Sequence, residues 1–267
     1  MPPKSRRSKK HSKRSTSRPT SGSTSKKKPH VESDVALKPT SQGYLPGGAG
    51  FASFIGIVIY IVGNSNLDRP GPSGWGGTIN RVFDDIQVAR EIWGLPFARM
   101  RIQSVDPSEI GLIERDWTCG NDEIDTNPIF QRMLRKRHND GFDPDWITVW
   151  YMPFESMTNA IGCAPSNRRV RFPDSTLSVE YQHIIITNAA ASRVNRSVLA
   201  HELGHILFAT VPGANGNDPT SNFTNAHSPM DNNVMWWIAG DRRGVTDSQI
   251  QHALKSRLLP RGIIPPS

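Results

Sequence analysis

The sequence predicts an α+β chain with α/β-like layers around one mixed sheet. Three observations predict it. Strand-like and helix-like segments succeed one another as strand, long helix, strand, helical insertion, three strands, helix, long loop and final helix. The segment "YQHIIITNAA" is apolar along its length, as a central strand buried on both faces is. The helical segments are amphipathic, so each needs a sheet or another helix to cover one face.

The chain begins with a basic segment, residues 1–46, that precedes the folding unit expected over 47–267. Its first 40 residues hold 12 Lys/Arg and 2 Asp/Glu, while the other 227 hold 20 and 22, so the net charge of +8 belongs to the tail. With almost no large apolar side chain, "MPPKSRRSKKHSKRSTSRPTSGSTSKKKPH" buries too little to offset its ordering entropy and is expected to be disordered. Such a segment suits a solubilising arm, a nucleic acid or other anionic surface, nuclear import, or a delivery leader. No secretory signal pattern is present, because the charged stretch is long and the first apolar run starts at Phe51. The expectation is therefore an intracellular protein, nuclear among the options, or one delivered by a non-classical route.

The run "FASFIGIVIYIV" poses the membrane question. From Gly47 to Gly63 it counts 17 residues, short of the about 20 a spanning helix needs, and its dense part is rich in Ile and Val. A buried strand is the expectation, with a membrane anchor at 47–63 as the alternative. After a Gly/Pro/Asn loop, "TINRVFDDIQVAREIWG" sets Ile79, Val82, Phe83, Ile86, Ala89 and Trp93 at helical spacing, with Gly94 as the stop. "FARMRIQSVD" alternates and predicts a strand. "NPIFQRMLRKRHNDG" predicts a short helix with Pro128 at its start, and the acidic "GNDEIDTNP" before it lacks EF-hand spacing and reads as a surface loop.

"DWITVWYMPF" predicts a strong strand and "NRRVRF" a shorter one. After "YQHIIITNAA", the segment "SRVNRSVLAHELGHILFAT" predicts a helix capped by Ser192 or Asn195 and ended by Pro212 and Gly213. "TDSQIQHALKSRLL" predicts the last helix. The two cysteines, Cys119 and Cys163, have no metal-ligand spacing; one disulfide is possible, but the expectation is two ordinary thiols.

The chemistry lies in "HELGH". Four residues apart on a helix, His201 and His205 project from one face about one turn apart and can reach one ion. Glu202, one step round, is placed for a general base acting on water at a zinc ion (Zn2+). Leu199, Leu203 and Ile206 fall on the back of the helix. A third ligand is required, and no Glu follows Glu202, which excludes a downstream glutamate. The spacing H-E-x-x-H-x-x-G-x-x-H also fails, because Phe208 and Val211 stand at its Gly and final His positions. His227 and His252 are the histidines left downstream. Asp218, Asp231, Asp241 and Asp247 are the carboxylate alternatives, Asp218 foremost. His252 lies in the last helical pattern, where a solvated or capping role is expected.

The chain resembles metzincin-like zinc metallopeptidases in which the third histidine follows a loop of variable length. The segment carrying the likeness reads His227, Ser228, Asn232, Asn233 and Met235. The early strand, the helix ending "IWG", the strand before the zinc helix and the final helix follow the same order over roughly residues 52–260. The resemblance implies a zincin domain with a mixed twisted sheet, an active-site helix and a C-terminal helix. It implies zinc on His201, His205 and His227, with Met235 as the base of a Met-turn. His227 comes 16 positions after Val211, a displacement that loop entropy tolerates at on the order of 1 kcal/mol. The likeness departs at Trp237, where some members carry Tyr, so oxyanion help must come from zinc, backbone N–H groups or another side chain.

The implied activity is zinc-dependent endopeptidase hydrolysis of a protein or peptide substrate, with Glu202 as catalytic base. The substrate would lie along an edge strand. "NRRVRF" is the candidate edge, and Arg168, Arg169 and Arg171 on it would favour acidic substrates. The alternatives are a basic-tailed nucleic-acid-binding or chromatin-associated protein with an inactive zincin fold, and a membrane-anchored ectopeptidase.

Overall fold

The structure is a computed structural model describing residues 33–34, 55–71, 77–95, 97–112, 127–157, 160–165, 168–171, 178–238 and 240–259. The readings of residues 1–32 and of the acidic stretch 120–126 lie outside the described residues. The chain is mixed α+β, with a mostly parallel six-stranded sheet and four α-helices among the described residues.

The sheet runs β1 (Ser33–Asp34), β5 (Phe97–Val105), β2 (Ile55–Val62), β6 (Ile147–Tyr151), β10 (His183–Ile186) and β7 (Gly162–Cys163) in spatial order. β5, β2, β6 and β10 are parallel, and β1 and β7 close the two edges antiparallel, while β3 (Asp68–Pro70) and β4 (Thr78–Asn80) form a separate antiparallel pair. The "IGIVIYIV" run is β2, a central strand paired on both sides, with Ile59 opposite Ile102 and Val149. Among the described residues no helix is long and apolar enough to cross a membrane.

Strand alternation splits the interior in two. On one face, Ile55, Ile57 and Ile59 of β2, Ile147 and Val149 of β6, and Ile184 and Ile186 of β10 meet α1 (Arg81–Trp93) and α3 (Val198–Ala209). On the other, Val58, Tyr60, Trp150 and Ile185 meet α2 (Pro128–Asn139). Burying each such aliphatic side chain contributes about 1.5–3 kcal/mol. α1 starts at Asn80, whose side chain accepts from Val82 and Phe83 N–H, and stops at Gly94 with φ 63°, the left-handed conformation that glycine adopts without strain.

The face of α1 differs from its periodicity in one respect. Phe83 is 37 % exposed, whereas Asp85 is buried. Asp85 sits inward because Arg69 meets it at 2.5 Å and Tyr151 donates to it at 3.0 Å. Beside it, Asp84 binds Arg69 at 2.6 Å and Arg196 at 2.9 Å. Arg69 also donates to the Ala190 and Ala191 carbonyls, and Arg81 to that of Thr187. This buried network ties the start of α1 to the turn that leads into α3.

Four local expectations are corrected. "YQHIIITNAA" breaks at Gln182 into β9 (Ser178–Tyr181) and β10. "NRRVRF" yields β8 (Arg168–Arg171), which pairs with β9 in a separate two-stranded sheet, so the edge of the main sheet is β7. The helix N-cap position is Ser197, and a 3-10 turn, Arg193–Asn195, fills the span where Ser192 or Asn195 was expected to cap it. Cys163 is disulfide-bonded and not an ordinary thiol, and Cys119 lies outside the described residues. Spacing in sequence carries no information on whether Cys163 is paired.

The last helix, α4, covers Asp247–Ala253 with a capping box formed by Thr246 and Gln249.

Candidate metal centre

α3 carries "HELGH" above the sheet. Leu199, Leu203 and Ile206 are buried beneath it, and Trp93 Nε1 of α1 donates to the Ala200 carbonyl at 2.8 Å. With that face held down, His201 and His205 share the opposite side, as residues four apart on a helix must. His227 comes from the loop after α3. The donor atoms of His201, His205 and His227 all lie within 4.8 Å of one another.

The orientation of His201 follows from its second nitrogen. Nδ1 lies 2.7 Å from the Val234 carbonyl, which can only accept, so Nδ1 carries the proton and Nε2 keeps its lone pair. That Nε2 is 3.1 Å from His205 Nε2. Two nitrogens bound at about 2.0–2.1 Å to a tetrahedral zinc would sit about 3.3 Å apart, so this pair fits one ion. The ring centre of His227 is 5.3 Å from that of His201 and 4.9 Å from that of His205.

Desolvation favours the neutral form of all three half-buried rings. Desolvation pulls His201 down to about 4, against the opposing pull of its Val234 carbonyl. Desolvation also lowers His205 well below the ordinary imidazole value, with the neighbouring His201 and His227 adding to it, and lowers His227. Neutral imidazole is the form that ligates metal. Three converging neutral donors fit zinc by number and by chemistry.

Glu202 is 7 % exposed, and desolvation pushes its carboxyl up to about 8. A cation beside it would favour the ionised form and bring that value down. Its carboxylate lies against the sheet edge: a Cβ on Gly162 of β7 would come within 2.5 Å of Glu202 Oε1 and 2.7 Å of Val198 Cγ1. Only glycine leaves the carboxylate its place. Met235 is fully buried under the site, and a Cβ on Gly204 would stand 2.2 Å from its Sδ.

The remaining expected candidates separate cleanly. Asp218 is buried, but its oxygens accept from Thr220 N–H at 2.6 Å and from Gln249 Nε2 at 2.6 Å, and it stands outside the donor cluster. Asp231, Asp241 and Asp247 are exposed. His252 packs against Phe208 and Phe223, half-buried, where a solvated or capping role was expected. Sequence reasoning missed Gly162, the Val234 carbonyl and Gln249. A backbone carbonyl leaves no residue-type signal, and the capping-box pattern Thr246–Gln249 was the one available sign of Gln249.

No family model and no curated protein matches the chain. Among solved structures, metalloproteinase-II from Bacteroides fragilis matches with a TM-score of 0.45 and 12 % identity, over 79 % of this chain and 55 % of that one. This chain thus spans about half the length of that protein. A likeness this slight leaves the functional reading to the side chains themselves.

Proposed function

We propose that the chain is a zinc-dependent endopeptidase. The observation that carries this reading is three imidazoles converging within 4.8 Å, two of them from the helix that also carries Glu202. Bound there by His201, His205 and His227, zinc would polarise a carbonyl and acidify a water. Glu202 takes a proton from the attacking water and returns it to the leaving nitrogen. Gly162 holds the Glu202 carboxylate against the sheet edge, and Val234 holds the His201 tautomer. The substrate backbone pairs along β7, the terminal strand on the side of Glu202. Zinc, the metzincin relationship and peptide hydrolysis all belong to this proposal.

The test is zinc per chain together with turnover of a peptide library read by mass spectrometry. Wild type and Glu202→Gln should each hold one zinc, with kcat about 10²–10⁴-fold lower in the variant. A wild type that binds no zinc after reconstitution, or a Glu202→Gln protein with wild-type turnover, would overturn the reading.

A further inference from the structure

His227 is not placed by a helix. It follows a 17-residue excursion, 210–226, in which Asn222 and Phe223 take positive φ values of 53° and 57°. A loop of that length does not by itself hold a ligand still. What holds this one is a buried polar frame that ends on α4. Gln249, fully buried, donates through Nε2 to Asp218 Oδ2 at 2.6 Å and to Asn233 Oδ1 at 3.0 Å. Its Oε1 accepts from Asn233 Nδ2 at 2.8 Å and from Thr246 N–H at 2.9 Å.

Both partners of Gln249 reach the flanks of His227. On one side, Asp218 N–H donates to the Asn225 carbonyl at 2.8 Å, and Asn225 Oδ1 accepts from His227 N–H at 3.0 Å. Asp218 also accepts from Thr220, whose hydroxyl bonds Ser228 Oγ at 3.0 Å. On the other side, Asn233 Oδ1 accepts from Met235 N–H at 2.8 Å, and the Met235 carbonyl accepts from Ser228 N–H at 2.9 Å. Between Asn233 and Met235 lies Val234, whose carbonyl orients His201. One side-chain amide therefore connects to the residues before and after one donor and to the carbonyl that sets the tautomer of another.

We propose that Gln249 is the positioning residue of the metal centre, clamping Asp218 to Asn233 so that His227 and the Val234 carbonyl meet the helix histidines. This rests on the reading that His201, His205 and His227 hold zinc. The amide is needed for its two-sided character: Nε2 must donate to a carboxylate while Oε1 accepts from an amide. Glutamate has the same shape and would set a second carboxylate against Asp218. Asp218→Asn would then supply the missing donor on that side, while Asn233 Oδ1, which also loses the Gln249 donor, keeps its bond from Met235 N–H.

The experiment measures zinc Kd by competition with a chromophoric chelator, and the visible absorption of the Co2+-loaded protein, in Gln249→Glu, Asp218→Asn/Gln249→Glu and His227→Ala. Gln249→Glu should weaken zinc about 10–100-fold and alter the Co2+ bands, as losses of outer partners of metal ligands do. The double variant should regain part of that loss, binding zinc several-fold more tightly than Gln249→Glu, a rescue that a merely bulky core residue would not give. Wild-type Kd and Co2+ bands in Gln249→Glu would overturn the proposal. So would a loss of affinity or of fold that Asp218→Asn does not lessen. Wild-type zinc affinity in His227→Ala would overturn the ligand reading instead, whatever Gln249→Glu does. Loss in His227→Ala with none in Gln249→Glu would overturn this inference alone.

Discussion

Both faces of the sheet carry desolvated histidine, half-buried on one and fully buried on the other, and they use it in opposite ways. On the α3 face, His201 gives its Nδ1 proton to the Val234 carbonyl and turns its Nε2 lone pair toward two more imidazoles. On the α2 face, His183 is fully buried and accepts from Trp150 Nε1 at 3.1 Å through Nδ1. Its lone pair is thereby used, and its Nε2, left with the proton, has no partner among the described residues. Desolvation lowers both, His183 to about 3 and His201 to about 4. A lowered pKa therefore does not distinguish a ligand from a core residue. The direction of the lone pair does.

The largest effect that can break this comparison is on metal affinity. His205→Ala should weaken zinc on the order of a thousandfold, because it removes one of three protein donors. His183→Asn should leave zinc affinity unchanged and keep an acceptor near Trp150. Chelator competition on the two purified variants decides it. Equal losses in both would mean that His183 supports the centre through the sheet and that the two faces are not independent.

The next effect is on acid stability. His183 titrates near 6.5 when unfolded and at about 3 when folded, so its neutral form stabilises the fold above pH 6.5. As pH falls from 6.5 through 3 the unfolded chain binds the extra proton and that contribution is lost, on the order of a few kcal/mol. Asn does not titrate. The urea midpoint of His183→Asn, below wild type at neutral pH, should therefore close on it or pass it as pH falls across this window. A difference that stays constant with pH would mean that the buried ring is not the group that titrates.

How far each face was legible follows from the same contrast. His201, Glu202 and His205 were readable because a helix converts spacing into direction, and nothing else in the chain needed to be known. β2 was readable as a buried strand from an apolar run of strand length. His227 was suggested by resemblance, but its support by Asp218, Asn233 and Gln249 spans 31 residues of sequence with no periodicity to mark it. The burial of Asp85 was not legible, because its partners, Arg69 and Tyr151, lie on other elements. The same holds for "NRRVRF": its composition says strand, but only the tertiary arrangement decides that β8 joins β9 and leaves the main sheet edge to β7.

The smallest effect concerns how tightly the α3 face is packed beneath its histidines. Alanine in place of Gly204 would gain about 1 kcal/mol in helix propensity. Its Cβ would also stand 2.2 Å from Met235 Sδ and 2.7 Å from Trp93 Cζ2. Trp93 cannot yield easily, since its Nε1 is bonded to the Ala200 carbonyl on the same helix. Met235 must move, and overpacking of this kind costs about 1–3 kcal/mol, which outweighs the propensity gain. Gly204→Ala should therefore lower Tm by a few degrees, about 2–4 °C for each net kcal/mol at this chain length. Adding Met235→Ala should then cost less than the two single changes combined, because each relieves the other. A higher Tm in Gly204→Ala alone would show that Met235 has room to yield, and that the α3 face holds its histidines by hydrogen bonds without close packing beneath them.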